Sequence, residues 1–386
     1  MAGCGNTDNG SAATGTNAAT ESAAADNGAA SGSVFKIGGI GPTTGGAAVY
    51  GLAVQHGAEI AVEEINAAGG INGYQVEFKF QDDEADAEKS VNAYNALKDW
   101  GAQIIDGSTT SGACIAVTDK TKEDNMFQIT PSGSAVECVQ YDNNFRVCFS
   151  DPNQGLASAQ YIGENGLAEK IAVIYDSSDV YSSGIYEKFV KEAENQPFEV
   201  VAAEAFTADN KTDFSVQLQK AKDAGADMVF LPIYYQESAL ILTQAAAMGY
   251  APKWFSCDGM DGILGGVDNF DVSLTEGVML LTPFAADATD DLTQSFVTKY
   301  KEKYGETPNQ FAADSYDAIY VIKAAIEKSG VTPDMSVSDI CDGMKAAMTE
   351  ITVDGLTGNG MTWTADGEAN KAPKAVVIEN GAYKAM

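Results

Sequence analysis

The sequence is poor in the side chains that hold anions or carry out acid–base catalysis. Its 386 residues include a single arginine, Arg146, and a single histidine, His56. One arginine leaves no set of guanidinium groups to grip a phosphate or carboxylate. One histidine nearly excludes His-rich metal sites and the Ser–His or Cys–His pairs of nucleophilic catalysis. We interpret Arg146 as a structural residue near a domain joint and His56 as a helix-surface residue, and we expect a binding protein without enzymatic activity, cofactor or metal ion.

Basic residues are also scarce, and no long apolar run is present. The chain carries 55 acidic against 23 basic residues, for a net charge of −32. Such a surface repels phosphate backbones, so nucleic-acid binding is not expected. No stretch approaches eighteen consecutive apolar residues, so the sequence predicts no membrane-spanning helix.

The cysteines form no CxxC pair, which argues against zinc and thiol redox motifs. Cys138 and Cys148 flank a short polar turn and could be bridged as a hairpin, or they could be small buried residues; the sequence leaves both readings open. The six cysteines are Cys4, Cys114, Cys138, Cys148, Cys257 and Cys341.

The first residues have a distinct composition. The start, Met1-Ala2-Gly3-Cys4, resembles the end of a bacterial lipoprotein signal, in which the cysteine is lipidated. Of the 29 residues from 5 to 33, 26 are Ala, Gly, Ser, Thr or Asn, a composition that cannot build a core and predicts a flexible tether. We therefore expect a globular protein held at a membrane surface by a lipid on Cys4. The alternative is an arbitrary disordered N-terminus on a soluble protein.

From residue 34 onward, short apolar runs alternate with amphipathic stretches of helical length. This alternation is typical of parallel sheets covered on both faces by helices. The pattern starts afresh after residue 150, which indicates two similar α/β lobes. The strands that we predict are 34–40, 75–80, 103–106, 126–129 and 145–149, then 170–175, 199–206, 227–231 and 253–257, and late strands near 360–363 and 375–378.

The joints between the lobes are predicted at residues 150–152 and after Thr282, with a third near residue 352. Residues 34–150 plus 283–352 would form the first lobe, and residues 151–282 plus 353–386 the second. The fold class is then α/β, with two doubly wound lobes joined by a three-strand hinge. Open α/β sheets bind ligands beyond the carboxyl ends of their strands, so two facing lobes make a cleft for a small molecule.

Two hydroxyl-rich turns, at residues 108–112 and 130–134, each follow a predicted strand. The first runs straight into a helix, and helix N-termini present unpaired N–H groups and the positive end of a dipole. With arginine nearly absent, backbone amides and Ser or Thr hydroxyls are the expected holders of an anionic ligand. A dinucleotide site at Gly39-Ile40-Gly41 is a poor second reading, because the spacing does not fit GxGxxG and no GK[ST] occurs.

Five motifs from residue 34 onward carry a family resemblance by their order and spacing. They are Gly41-Pro42-Thr43-Thr44-Gly45, Gly69-Gly70-Ile71-Asn72-Gly73, Thr130-Pro131-Ser132-Gly133-Ser134, Phe145-Arg146-Val147, and Phe311 with Ser315-Tyr316-Asp317-Ala318. Together they resemble the leucine/isoleucine/valine-binding protein family, whose members have type I periplasmic-binding-protein folds and deliver ligand to ABC transporters. The likeness runs from residue 34 to the C-terminus.

The resemblance implies that the α-carboxylate of the ligand lies on the two hydroxyl-rich turns of the first lobe. Ser111 and Ser134 would contact it by side chain, and Gly112 and Gly133 by backbone. Ser111 is also a good helix cap, and the two roles are compatible.

In the second lobe the resemblance implies that Asp258 meets the ligand's amine, although the family named above has glutamate at this place. Asp258 beside a glycine is also ordinary turn chemistry. Tyr181 would close over the ligand, and Tyr50 and Tyr235 would wall the side-chain pocket, with Tyr234 the alternative to Tyr235. The predicted ligand-binding residues are Tyr50, Ser111, Gly112, Gly133, Ser134, Tyr181, Tyr235 and Asp258.

Together these features predict a monomeric, extracytoplasmic solute-binding protein of an ABC importer, lipid-anchored at the cell surface or in the periplasm. Its ligand would be a branched-chain or other apolar L-amino acid, and its protein partner the ABC permease. Two alternatives stay open: a ligand-sensing receptor domain of the same fold, and a binder of a carboxylate that lacks an amine.

Overall fold

The computed structural model describes Met1 and residues 32–386. The lipidation predicted at Cys4 and nearly all of the tether predicted at residues 5–33 lie outside the described residues. Within the described part, no helix combines the length and apolar character needed to cross a bilayer.

The first sheet has five parallel strands in the order β2-β1-β3-β4-β5. Because this order reverses beside β1, a crevice opens at the carboxyl ends of β1 and β3. The strands are β1 (Phe35–Gly41), β2 (Val76–Asp82), β3 (Ile104–Asp106), β4 (Phe127–Thr130) and β5 (Asn144–Arg146).

The second sheet repeats this topology. Its parallel part has the order β7-β6-β8-β9-β10, and two antiparallel strands, β11 and β12, extend it beside β10. The strands are β6 (Lys170–Asp176), β7 (Glu199–Phe206), β8 (Met228–Leu231), β9 (Lys253–Ser256), β10 (Met279–Thr282), β11 (Lys374–Glu379) and β12 (Ala382–Ala385).

Helices cover both faces of each sheet, as the alternating pattern predicted. In the first half they are α1 (Ala48–Ala67), α2 (Ala87–Trp100), α3 (Ser111–Asp124), α4 (Asp151–Glu164) and α5 (Val180–Ala193). In the second half they are α6 (Ser215–Asp223), α7 (Tyr235–Ala247), α8 (Asp291–Tyr304), α9 (Gln310–Ser329) and α10 (Val337–Met348).

Helix α9 returns to the first sheet after β10 and packs along α1. The two helices approach closely at Gly57, where an added Cβ would lie 2.0 Å from the carbonyl oxygen of Ala312. Only glycine permits this backbone contact, which buries the apolar face of α9 against the first lobe.

The segment between α10 and β11 differs from the sequence-based expectation in two ways. Instead of a strand at 360–363 it has isolated bridges, Val353 to Met361 and Trp363 to Ala369, because its backbone pairs locally. It also stays on the first lobe: the buried Lys371 pairs with Asp314 of α9 at 2.7 Å. We therefore propose that the third crossing lies between residues 371 and 374 and not at 352.

Helix α4 is absent from the sequence-based prediction, which interprets Pro152 as a joint between lobes and not as the first turn of a helix. Proline is well tolerated in the first turn of a helix, where its missing N–H has no intrahelical partner to lose. The disulfide considered for Cys138 and Cys148 is not formed. Both are free and buried; a 3-10 helix, Val136–Val139, carries Cys138, and the Cys148 thiol points at the carbonyl of Gly133.

Candidate functional site

A small cavity lies where the carboxyl ends of the two sheets face each other. The start of α3, the turns after β3 and β4, and helices α1 and α9 contribute from the first lobe, and the start of α5 and the segments after β8 and β9 from the second. The lining residues are Tyr50, Thr109, Thr110, Ser111, Ser132, Tyr181, Tyr234, Asp258, Gly259 and Phe311.

Four predicted site residues line this cavity: Tyr50, Ser111, Tyr181 and Asp258. The other four, Gly112, Gly133, Ser134 and Tyr235, are each within two positions of a lining residue. The structure thus brings the predicted residues of both lobes together, although they come from distant parts of the chain.

The first hydroxyl-rich turn ends in the N-terminus of α3, which points at the cavity. The N-cap residue, Thr110, makes no side-chain cap hydrogen bond. Its hydroxyl is buried and has no partner among the described residues. The N–H groups of Ser111 and Gly112 belong to the first turn and have no acceptor within the helix. This turn therefore offers unpaired donors and the positive end of the α3 dipole to a ligand.

The hydroxyl of Ser111 has a constrained role. Its Oγ accepts hydrogen bonds from the backbone N–H of Ser134 and of Ala135, both at 3.1 Å. A hydroxyl oxygen has two lone pairs and one hydrogen. Because both lone pairs are used, Ser111 can act only as a donor toward the cavity, which suits a carboxylate and disfavours an ammonium group.

The second hydroxyl-rich turn is largely occupied by its own hydrogen bonds. The resemblance implied a backbone contact from Gly133 to the ligand, but the N–H of Gly133 donates to Thr130 Oγ1 at 2.7 Å and is therefore already used within the turn. The hydroxyl of Ser132 donates to the carbonyl of Thr109 at 2.6 Å. The hydroxyl of Ser134 is fully buried and unpaired among the described residues. This turn mainly supports the first one.

Asp258 supplies a buried carboxylate on the opposite wall. Its Oδ1 accepts a 2.6 Å hydrogen bond from the hydroxyl of Tyr181, and its backbone is held by Gln154 of α4 and Gln310 of α9. Burial raises the pKa of the Asp258 carboxyl to about 6, although the Tyr181 hydrogen bond opposes this rise. A cation placed beside Asp258 would lower that pKa again and stabilise the charged form.

Aromatic rings form the space between the two walls. Tyr181 stacks on Tyr234 with ring centroids 5.0 Å apart, and Tyr50 packs on Phe311 at 4.4 Å. Tyr50 also meets Tyr234 edge to face at 5.5 Å. Such surfaces bury large apolar area, so the middle of a ligand here would be apolar.

Tyr50 joins the lobes directly. From α1 of the first lobe, its hydroxyl donates to the carbonyl of Gly259 and accepts from the N–H of Tyr235 at 3.2 Å. The ring of Tyr235 packs edge to face on Tyr50 and does not line the cavity, whereas Tyr234 does. The placement of Tyr235 as a cavity wall is thus corrected to Tyr234, because α7 begins at Tyr235 and turns its side chain away.

Sequence reasoning missed several lining residues. Thr109, Thr110 and Ser132 lie inside the two turns that were singled out, so only their orientation was missing. Phe311 belonged to a motif that carried the family resemblance but had no role assigned to it. No sequence signal distinguishes Gly259, whose contribution is its backbone.

Comparison with known proteins gives a consistent result. A family model described as periplasmic binding protein matches residues 34–382. Leu/Ile/Val-binding protein homolog 3 of Brucella melitensis is 31% identical over 77% of this chain and 80% of its own length. A leucine-, isoleucine-, valine-, threonine- and alanine-binding protein of Pseudomonas aeruginosa is 30% identical over 77% and 79%. The isoleucine-bound substrate binding protein LivJ of Streptococcus pneumoniae is 29% identical, covers 91% of this chain and 98% of its own, and has a TM-score of 0.82.

Proposed function

The chain belongs to the family of periplasmic binding proteins, and we propose that it is the solute-binding component of an ABC importer for a branched-chain or other apolar L-amino acid. The family consists of non-enzymatic transport components with a type I binding-protein fold, and it functions outside the cytoplasm. The amino-acid assignment is supported by relatives whose names specify leucine, isoleucine and valine.

The observation that carries the proposal is the pairing of two opposed groups across one apolar cavity. Ser111 can only donate, and it stands at a helix N-terminus; Asp258 can accept from or pair with a cation. A zwitterion with an apolar side chain matches this arrangement, its carboxylate on the first lobe and its ammonium on the second. The proposed ligand contacts are Ser111, the N–H of Gly112, Ser134, Tyr181 and Asp258, with Tyr50, Tyr234 and Phe311 around the side chain.

Lobe closure is part of the same proposal. A ligand that contacts both walls stabilises the closed arrangement by its differential affinity for it, and the permease would recognise that arrangement. We further propose that the protein is a monomer anchored through a lipid on Cys4.

Calorimetric titration with leucine and three analogues tests the assignment. Leucinamide lacks the carboxylate charge, isoamylamine lacks the whole carboxylate, and 4-methyl-2-oxopentanoate lacks the amine. We expect leucine, or another apolar amino acid found by a thermal-shift screen, to bind far more tightly than all three, since each analogue leaves a buried group unpaired. Equal binding of the 2-oxo acid would favour the amine-free carboxylate alternative.

A further inference from the structure

Arg146 lies behind the first-lobe wall of the cavity and not in it. The side chain is fully buried, and its guanidinium group donates hydrogen bonds to the carbonyl groups of one short segment, residues 133–136. Nη1 donates to the carbonyl oxygens of Gly133 at 3.3 Å and Ser134 at 2.5 Å, and Nη2 donates to those of Ala135 at 2.9 Å and Val136 at 3.4 Å. The only arginine of the chain therefore makes no contact with the cavity but holds the turn beside it.

Two of these peptide groups continue toward Ser111. The peptide joining Gly133 to Ser134 accepts from Arg146 through its C=O and donates through its N–H to Ser111 Oγ at 3.1 Å. The peptide joining Ser134 to Ala135 does the same, also at 3.1 Å. Two parallel chains of hydrogen bonds thus run from the guanidinium group of Arg146 to the hydroxyl oxygen of Ser111. Together they form the Arg146–Ser111 relay.

We propose that Arg146 is a positioning residue that acts on the ligand carboxylate through these two peptide groups and the Ser111 hydroxyl. Consecutive hydrogen bonds polarise one another, so a cation at one end makes the hydroxyl at the other end a stronger donor. The same bonds fix the orientation of that hydroxyl toward the cavity. This inference rests on the proposed carboxylate site at Ser111.

The C-terminal segment of the first lobe keeps Arg146 in place. Arg146 Nε lies 3.3 Å from Glu368 Oε2. The indole N–H of Trp363 donates to the Arg146 carbonyl at 2.8 Å, and the Arg146 N–H donates to the carbonyl of Gly367 at 3.0 Å. Of these three contacts, only the one with Glu368 is made by a charged group.

The test compares Arg146→Lys with wild type for an amino acid and its amide. Lysine keeps the positive charge but lacks the planar set of N–H groups that donates to all four carbonyl oxygens. Charged acceptors gain more from a strong donor than neutral ones, so we expect the acid to lose roughly fivefold or more in affinity and the amide less than about twofold. Leu97→Ala, which opens a cavity in the packing of α2 and leaves the contacts of Arg146 untouched, is the structural control: it should lower the melting temperature and leave the acid-to-amide ratio unchanged.

A double-mutant cycle tests the route through Ser111. In a Ser111→Ala background the relay has no end point, so adding Arg146→Lys should change the dissociation constant of the acid by less than about twofold. Additive losses in the two variants would show that Arg146 does not act through Ser111 and would overturn the proposal.

Glu368→Gln covers the case in which Arg146→Lys does not fold. Glu368 is partly exposed, and its removal leaves the guanidinium charge less neutralised. We expect the acid, but not the amide, to bind about two- to fivefold more tightly; unchanged or weaker binding of the acid contradicts the relay. A wild type that does not prefer acid to amide would refute the carboxylate site itself, whereas an intact preference with an unaltered ratio in Arg146→Lys would refute the relay alone.

Discussion

The two walls of the cleft are built from different chemical groups. The first-lobe wall consists of donors: unpaired N–H groups at the start of α3 and a Ser111 hydroxyl that can only donate. The second-lobe wall consists of an acceptor, the Asp258 carboxylate, with the aromatic rings of Tyr181 and Tyr234 beside it.

Under the proposed function, this difference means that neither lobe alone would recognise both ends of a zwitterion. A ligand with an anionic and a cationic end must touch both walls, so its binding energy depends on closure. A ligand that keeps only one charged end would use only one wall. Removing the charge or the donor from one wall at a time tests whether the two walls recognise different ends of the ligand.

The largest expected effect comes from Asp258→Asn, which keeps the size of the side chain and deletes its charge. Removing one partner of a buried ion pair costs roughly 2–5 kcal/mol, so amino-acid affinity should fall about thirtyfold or more by calorimetry. The melting temperature of the ligand-free protein should stay almost unchanged, because this carboxylate is already destabilised by burial. An equal loss for the 2-oxo acid would show that the variant damages both walls and not the cation site alone.

Ser111→Ala changes the opposite wall. The variant removes the donor and also leaves the N–H groups of Ser134 and Ala135 without their acceptor. Affinity for the amino acid and for the 2-oxo acid should fall by roughly tenfold, and affinity for the decarboxylated amine should not. Ser134→Ala should act in the same direction. Ser329→Ala is the matched control, since that hydroxyl bonds the carbonyl of Ala325 at the C-terminal end of α9, away from the cavity. If the Ser111→Ala variant prefers the amino acid over the decarboxylated amine as strongly as wild type does, the first-lobe wall is not the carboxylate site.

Low pH should reduce the ligand affinity that depends on the second-lobe wall and leave the contribution of the first-lobe wall unchanged. The pKa of Asp258 is raised to about 6 in the protein without ligand, and ammonium binding requires its charged form. Affinity for an amino acid should therefore be constant above that pKa and fall as the pH drops through it, to about a tenth of its pH 7 value at pH 5. The 2-oxo acid should not show this fall, and neither should the Asp258→Asn variant. Retention of the same pH profile in that variant would assign the titration to another group.

Tyr50→Phe should produce the smallest change. The hydroxyl joins the walls through Gly259 and Tyr235, and the variant removes these two hydrogen bonds while keeping the ring. We expect a larger radius of gyration for the ligand-free protein in small-angle scattering, with ligand affinity altered less than about fivefold. An unchanged radius would mean that the hydroxyl does not contribute to closure.

Much of the fold followed from local patterns. Strands and helices alternate in both halves as predicted, and the α/β class with two sheets is confirmed, because strand and helix periodicities are properties of short windows of sequence. The late segment was the exception. Residues 360–363 look like a strand locally, but no neighbouring strand is available there, and the backbone pairs within the segment.

The candidate site was predictable in position and less so in detail. The two hydroxyl-rich turns and Asp258 follow strands, and strand ends converge at one edge of a sheet. Whether Gly133 offers its N–H depended on a hydroxyl three residues away, and whether Tyr234 or Tyr235 faces the cavity depended on where α7 begins.

The sequence by itself determined the class of the protein: scarce arginine and histidine, a strongly acidic surface, two α/β sets and hydroxyl-rich turns at strand ends. Each of these is a matter of composition or of residues near one another in the chain. Only the tertiary structure decided which hydrogen-bonding groups are consumed and which are free. Ser111, Ser134 and Arg146 become one network because β3, β4 and β5 lie side by side, and the direction of each hydrogen bond in that network depends on partners that are distant in sequence.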